Sequence, residues 1–288
     1  MTDYIRQHGT SIDFSSGSSW VILNQIEKRI KEKIEQVGIP LKDWDISINY
    51  GIKTGCNEAF IIDKQKRDEL IKKDKTSAEI IRPILRGRDI ARYQINFADL
   101  YLINTHNGIP SKNILPVNIK KYPAIKEHLD KYWKKIKKRE DQGITPYNLR
   151  SCAYMDDFYK QKVIWGEISD KPKFAFDFNG TYYPEATTFI LTGENIEYLF
   201  VVLNSRISEW FFSSIGTTTG VGTIRWKKFT IEQLLVVPSN TDILFNIRQL
   251  IKLLIDKKIT NEIFESESNK LIYTLYDLTK KEIEFIEI

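Results

Sequence analysis

The spacing of apolar residues changes twice along this 288-residue chain, and that switch restricts the fold more than any single motif. Near the N-terminus Leu23, Ile26, Ile30, Ile34 and Val37 recur at the intervals of one helix face, with Gly38 and Pro40 as stop signals. In the middle Phe174, Phe176 and Phe178 alternate with the two-residue period of a strand and run into Asn179-Gly180, a dipeptide suited to a type I′ turn. With TYYPEATTFIL beyond it, this segment reads as a β-hairpin. After Thr241 helical spacing returns: Leu244, Ile247, Ile251, Leu254 and Ile255 make one stripe, and Leu271, Ile272, Leu275 and Tyr276 another. T-K-K-E at 279–282 then sets Glu282 as capping-box partner of Thr279 and starts a third helix. Strands between helical ends mean α+β: a mixed-sheet body with helical segments at the N- and C-terminal ends.

The organisation follows from these switches. Residues 1–19 end in DFSSGSS and read as a flexible linker, 20–40 as a connecting helix, 41–240 as the α+β body, and 241–288 as a C-terminal helical segment. An apolar fraction of 42% is enough for a proper core. No apolar run approaches the roughly 18 residues of a membrane helix, and MTDYIRQHGT has no signal-peptide core, so a cytoplasmic protein with no membrane partner is expected. Residues 151–190 hold ten aromatics in forty positions, against 12% for the chain; they serve as sheet core, or stack on bases if exposed beside a basic face.

Charge narrows the class of partner. The net +5 is mild, but residues 120–139 carry nine lysines or arginines against Glu127 and Asp130, while residues 256–288 are net negative. A basic middle with an acidic tail fits a polyanion better than a small-molecule substrate; the alternative is a solvated lysine-rich helix face. Cys56 and Cys152 are the only cysteines, and His8, His106 and His128 lie far apart. Neither a disulfide framework nor a metal site is readable, and both cysteines read as ordinary buried thiols.

Catalytic motifs are missing. There is no H-E-x-x-H, G-x-S-x-G or C-x-x-C, no proline is followed by aspartate as in a PD-(D/E)xK nuclease, and no two prolines are adjacent as in the N-P-P-[YF] turn of an amino-methyltransferase. No catalytic residue is therefore assigned. Recognition remains. GTTTGVGTIRW at 216–226 lacks the lysine of a P-loop and the third glycine of a dinucleotide fingerprint, yet its glycines and threonines suit a loop whose amides meet a phosphate. The alternative is a mobile connection between two strands. In IRPILRGRDIARY, residues 81–93, Arg82, Arg86, Arg88 and Arg92 face a single Asp89; such arginines grip phosphates or guanine edges, or else form structural ion pairs. GIKTG at 51–55 repeats the G-x-x-T-G spacing of GTTTG.

Several separated stretches together resemble one family: GIKTGCNEAFIID (51–63), LRGRDIARY (85–93), NLRSCAY (148–154), KVIWGEIS (162–169), YLFVVLNS (198–205) and NKLIYTLYDLTKKEIEFIE (269–287). The chain resembles the TaqI-like C-terminal specificity domain, the target-recognition region of type IIG restriction-modification enzymes and related adenine-specific DNA methyltransferases. The resemblance implies a duplex-DNA partner and a methylase domain, in cis or in trans. It also implies that S-adenosylmethionine and magnesium serve only catalytic domains outside this chain. The expected DNA-binding set, drawn from loop chemistry and charge, is Lys53, Thr54, Arg86, Arg88, Arg92, Thr217, Thr218, Thr219, Arg225 and Lys227, with a salt slope of roughly −4 to −7.

Overall fold

Val163, Ile164, Phe174, Ala175, Ile190 and Leu191 are fully buried, and they fall on adjacent strands whose register stacks them. In a computed structural model that describes residues 23–215, 217–218 and 224–287, the chain divides into two compact units. One comprises residues 45–196 with 225–228; the other takes the N-terminal helix, residues 197–224 and the chain from 229 onward. The proposed linker at 1–19 lies outside the described residues.

The first unit holds two four-stranded sheets. One is antiparallel throughout, in the order Phe174–Asp177, Lys162–Gly166, Thr188–Gly193, Ile46–Tyr50. Trp165 stands opposite Phe174 on one side and Phe189 on the other, and β-branched and aromatic residues fill this pleated surface as their side-chain shapes favour. The second sheet runs Tyr183–Pro184, Ile81–Leu85, Leu100–Ile103, Ile61–Asp63, with only the first pair parallel. A helix, Lys64–Lys73, starts where the Asp63 carboxylate accepts the Lys66 amide at 2.8 Å, and buries Leu70.

The expected hairpin does not form. Phe174–Asp177 and Thr188–Gly193 both pair with Lys162–Gly166, which lies between them, so the strands flanking Asn179-Gly180 are not partners. Gly180 has φ of +62° but Asn179 is not left-handed, so the turn is not type I′. The cause is a buried charge. Lys162, with no exposed surface, donates to Asp177 at 2.6 Å and to the Phe158 carbonyl at 2.7 Å. The Asp177 carboxylate also accepts the amides of Thr181 (3.0 Å) and Tyr182 (2.8 Å), wrapping the chain around itself and sending Tyr183–Pro184 into the other sheet. Phe158, Trp165, Phe174 and Tyr183 are core aromatics, whereas Tyr159 and Phe178 are exposed.

The basic segment is not one continuous helix either. It breaks into Ile119–Lys121, Pro123–Asp130 and Trp133–Ile136, and Arg139 at its end is buried. The Arg139 guanidinium lies 4.5 Å from the Phe60 ring centre and donates to the carbonyls of Thr54, Asp141, Pro146 and Asn148, closing the loop over residues 139–148. Burial lowers its pKa to about 10, still protonated at neutral pH.

In the second unit the helix Gln25–Val37 begins at a capping box of Asn24 and Glu27, buries Ile30 and Ile34, and ends at Gly38, where a Cβ would come within 2.7 Å of the Ile34 carbonyl oxygen. Its last stripe residue, Val37, is 42% exposed. The C-terminal helices are Thr241–Ile255, Asn261–Leu275 and Lys280–Ile286. They bury Ile247, Ile251 and Ile272, and Tyr276 is buried just past the second of them, while Ile255 is exposed, so the first stripe stops a turn earlier than its spacing implies. The Glu282 carboxylate accepts the Thr279 amide at 2.7 Å, as the capping box requires. Two further helices, Ile196–Asn204 and Arg206–Ile215, were not legible as such in the sequence. The mixture of sheets and terminal helices is α+β.

Candidate nucleic-acid interface

Parallel pairing gathers the candidate residues of the first unit. Tyr183–Pro184 runs parallel to Ile81–Leu85, and Ile52 makes a parallel bridge to Glu185. Parallel neighbours point the same way, so the segments that follow them leave at one end: Lys53 after Ile52, Arg86 to Arg88 after Leu85, and Thr187 after Glu185. Gly51 makes this possible, since a Cβ there would sit 2.1 Å from the Glu185 carbonyl oxygen.

A second contact adds Arg225 and Lys227 to the same end. Gly87 and Gly166 meet backbone to backbone, and a Cβ on Gly166 would lie 3.0 Å from the Gly87 Cα. The next residue, Glu167, donates its amide to the Thr187 carbonyl at 3.0 Å, and its side chain takes Arg225 at 3.3 Å and Lys227 at 3.9 Å. Trp226 between them is 2% exposed, its amide bonded to the Glu167 carbonyl (2.8 Å) and its carbonyl accepting the Trp165 indole N–H (2.8 Å). Burying the tryptophan sets its two cationic neighbours half-exposed on either side.

The predicted residues divide by what their polar atoms already do. Arg88 is exposed, and Lys53 is exposed while paired with Asp141 at 3.0 Å. Arg150, outside that set, shares Asp141 at 3.2 Å. Arg86 is committed: its guanidinium grips both Asp89 oxygens at 2.9 and 2.7 Å, and this bond raises the arginine pKa further. Burial pushes the Asp89 carboxyl up, but Arg86 outweighs it and holds the group below the ordinary carboxylate range. Thr54 is 1% exposed, its hydroxyl donating to Asn57 at 2.5 Å and accepting the Cys56 amide at 3.1 Å, so it shapes the turn from inside. Arg82 likewise donates to the carbonyls of Ala78, Glu79 and Ile81. Arg92 is half-buried with its guanidinium 5.3 Å from the Tyr93 ring centre.

The flanks of the 216–226 loop, Thr217–Thr218 and Ile224–Arg225, are short neighbouring strands, while Thr219 and the glycines lie outside the described residues. Both cysteines are half-buried rather than buried, and burial pushes the Cys152 thiol up to about 11. Among the described residues no three His, Cys, Asp or Glu side chains converge as a metal site, and no helix is long and apolar enough to cross a membrane.

A two-sheet body that turns its cationic segments to one end suits a recognition module, and the chain belongs to the TaqI-like C-terminal specificity domain family, whose model matches residues 82–238. Two solved structures share the fold: the type IIL restriction-modification enzyme MmeI in complex with DNA (13% identity, TM-score 0.62, covering 86% of this chain), and the type IIG restriction endonuclease BpuSI (13% identity, TM-score 0.52, covering 88%). The chain spans about a third of the length of either, 35% and 33%. No curated protein matches its sequence.

Proposed function

We propose that this chain is the DNA sequence-recognition region of a type II restriction-modification enzyme or adenine DNA methyltransferase, binding duplex DNA without catalysis of its own. The observation that carries the reading is the convergence of Lys53, Arg88, Arg225 and Lys227 on one end of the two-sheet unit. Cations grouped there can neutralise neighbouring phosphates, which positions a protein on DNA; base edges reached from the same end would then supply sequence choice. Family membership supports this reading, and the MmeI structure in complex with DNA shows the same fold in a protein of that kind. Thr54 and Arg86 support the contact from inside and Arg92 borders it; Thr217, Thr218 and Thr219 are proposed as further phosphate contacts from their hydroxyl chemistry. A methylase domain, in cis or in trans, supplies the chemistry, and S-adenosylmethionine and magnesium act there, in the cytoplasm where DNA is modified.

Gel-shift titration of the purified chain with duplex DNA, followed by incubation with magnesium and S-adenosylmethionine, tests both halves. Retarded DNA with neither cleavage nor methyl transfer is expected. Absence of binding at low salt refutes the DNA assignment, and modification above background refutes recognition without catalysis.

A further inference from the structure

A cleft of about 240 Å³ opens beside Lys53 and reaches the ends of strands Ile46–Tyr50 and Leu100–Ile103. It falls just below the roughly 300–1,000 Å³ of sites for drug-sized ligands, so it suits one ring system with a small appendage. Its walls are chemically divided. Tyr50, 47% exposed, and Tyr154 meet edge to face with ring centres 5.8 Å apart, and Leu149 and Met155 give an apolar surface. Asn104 is 3% exposed; its amide nitrogen donates to the Tyr183 hydroxyl at 3.4 Å, but its Oδ1 has no hydrogen-bond partner. A buried acceptor left unpaired is costly, and since this Oδ1 has essentially no accessible surface, a ligand N–H meets it once the Asn104 amide turns toward the cleft. At the rim Lys53 and Arg150 share the single carboxylate of Asp141, leaving one positive charge in excess.

We propose that this cleft is a single-nucleotide site: the base lies against Tyr50 and the Leu149–Met155 wall with an amino or imino N–H toward Asn104, and the phosphate rests on Lys53 and Arg150. Aromatic rings stack any base, an asparagine amide matches base edges, and paired cations suit a phosphate. The site binds rather than reacts, because burial keeps Cys152 a thiol, and burial with Arg82 nearby keeps His106 neutral. Its ligand is a free nucleotide or a nucleotide unit that has left the stack of a nucleic acid. The inference goes beyond duplex recognition and shares only rim cations with it.

The full chain is titrated with dAMP, with deoxyadenosine, with a fully paired duplex, and with the same duplex carrying one bulged 2-aminopurine. Binding of dAMP, or preference for the bulged over the paired duplex by about tenfold, supports the site, and the positive arm identifies the source. Tyr50→Ala should remove about tenfold of that affinity while leaving the paired duplex alone, and Arg150→Gln should weaken dAMP but not deoxyadenosine. If neither dAMP nor the bulged base is favoured, or if Tyr50→Ala weakens paired and bulged DNA alike, the inference is wrong. Failure of the paired duplex alone to bind strikes the duplex reading and leaves the dAMP arm to judge the cleft.

Discussion

Replacing Glu167 by glutamine should strengthen DNA binding, and replacing Arg225 by alanine should weaken it, each with a matching change in salt slope. Arg150 joins the four cations of the proposed contact, Lys53, Arg88, Arg225 and Lys227, through the Asp141 carboxylate it shares with Lys53, and the two acids Asp141 and Glu167 each engage two of the five. If the acids stay engaged the net is three charges; if phosphates displace them, five contacts form. At about 0.9 per phosphate, the slope of log K against log salt lies between about −2.7 and −4.5. From about 50 to 200 mM salt the affinity then falls by about 40-fold to 500-fold. This is shallower than the roughly −4 to −7 expected from the sequence, because Arg82 and Arg86 are spent on protein acceptors. Glu167→Gln frees one charge and should steepen the slope by up to about 0.9, while Arg225→Ala should flatten it by about the same. Fluorescence anisotropy of a labelled duplex across that salt range reads all three proteins. An affinity that changes less than about fivefold, or variants whose slopes match the parent's, would refute the placement of the contact.

Lys162→Met should cost about 3–5 kcal/mol in urea unfolding followed by tryptophan emission, since it strands the Asp177 carboxylate at 3% exposure. Lys162→Met with Asp177→Asn should recover part of that loss, because no bare charge remains. The Arg86–Asp89 pair sets an acid dependence: Asp89 has a depressed pKa, so its stabilisation is present above the unfolded value of about 3.9 and lost as pH falls through the folded value. Arg86→Met should therefore lower the melting temperature at neutral pH and flatten its decline below about pH 4, which a pH series of thermal melts checks. Changing Lys134, Lys135, Lys137 and Lys138 to glutamine should lower DNA affinity by no more than the loss of about two phosphate contacts, with Lys135 already paired to Glu58 at 2.6 Å; complete loss in a folded variant would contradict this.

Fold class was legible wherever one face of an element is buried and the other is wet. The helix Gln25–Val37 buries Ile30 and Ile34 of its stripe and ends at the expected Gly38, and Lys280–Ile286 starts at its expected capping box, because capping is local chemistry between residues three apart. Ile196–Asn204 was not legible, since Tyr198, Leu199, Phe200, Val201, Val202 and Leu203 are all buried and a helix apolar all round has no stripe. The hairpin failed for a different reason. Asn-Gly favours a tight turn, but Lys162, fifteen residues before its Asp177 partner, supplied a long-range charge that turned the chain elsewhere.

The site shows the same division between what spacing reveals and what only packing decides. Sequence named the arginine segment, yet could not separate Arg86 from Arg88, although they are two residues apart. A short 3₁₀ turn at Gly87–Asp89 swings the Asp89 carboxylate back onto Arg86 and leaves Arg88 facing outward, and that turn exists because Gly87 can lie flat against Gly166. Nothing in the local sequence announces a glycine contact across about eighty positions. The same contact brings Glu167 beside the arginine turn, and Glu167 in turn holds Arg225 and Lys227. Two glycines without side chains thus decide which cations share an end of the unit, and an acid between the cations sets how many charges a phosphate backbone would meet.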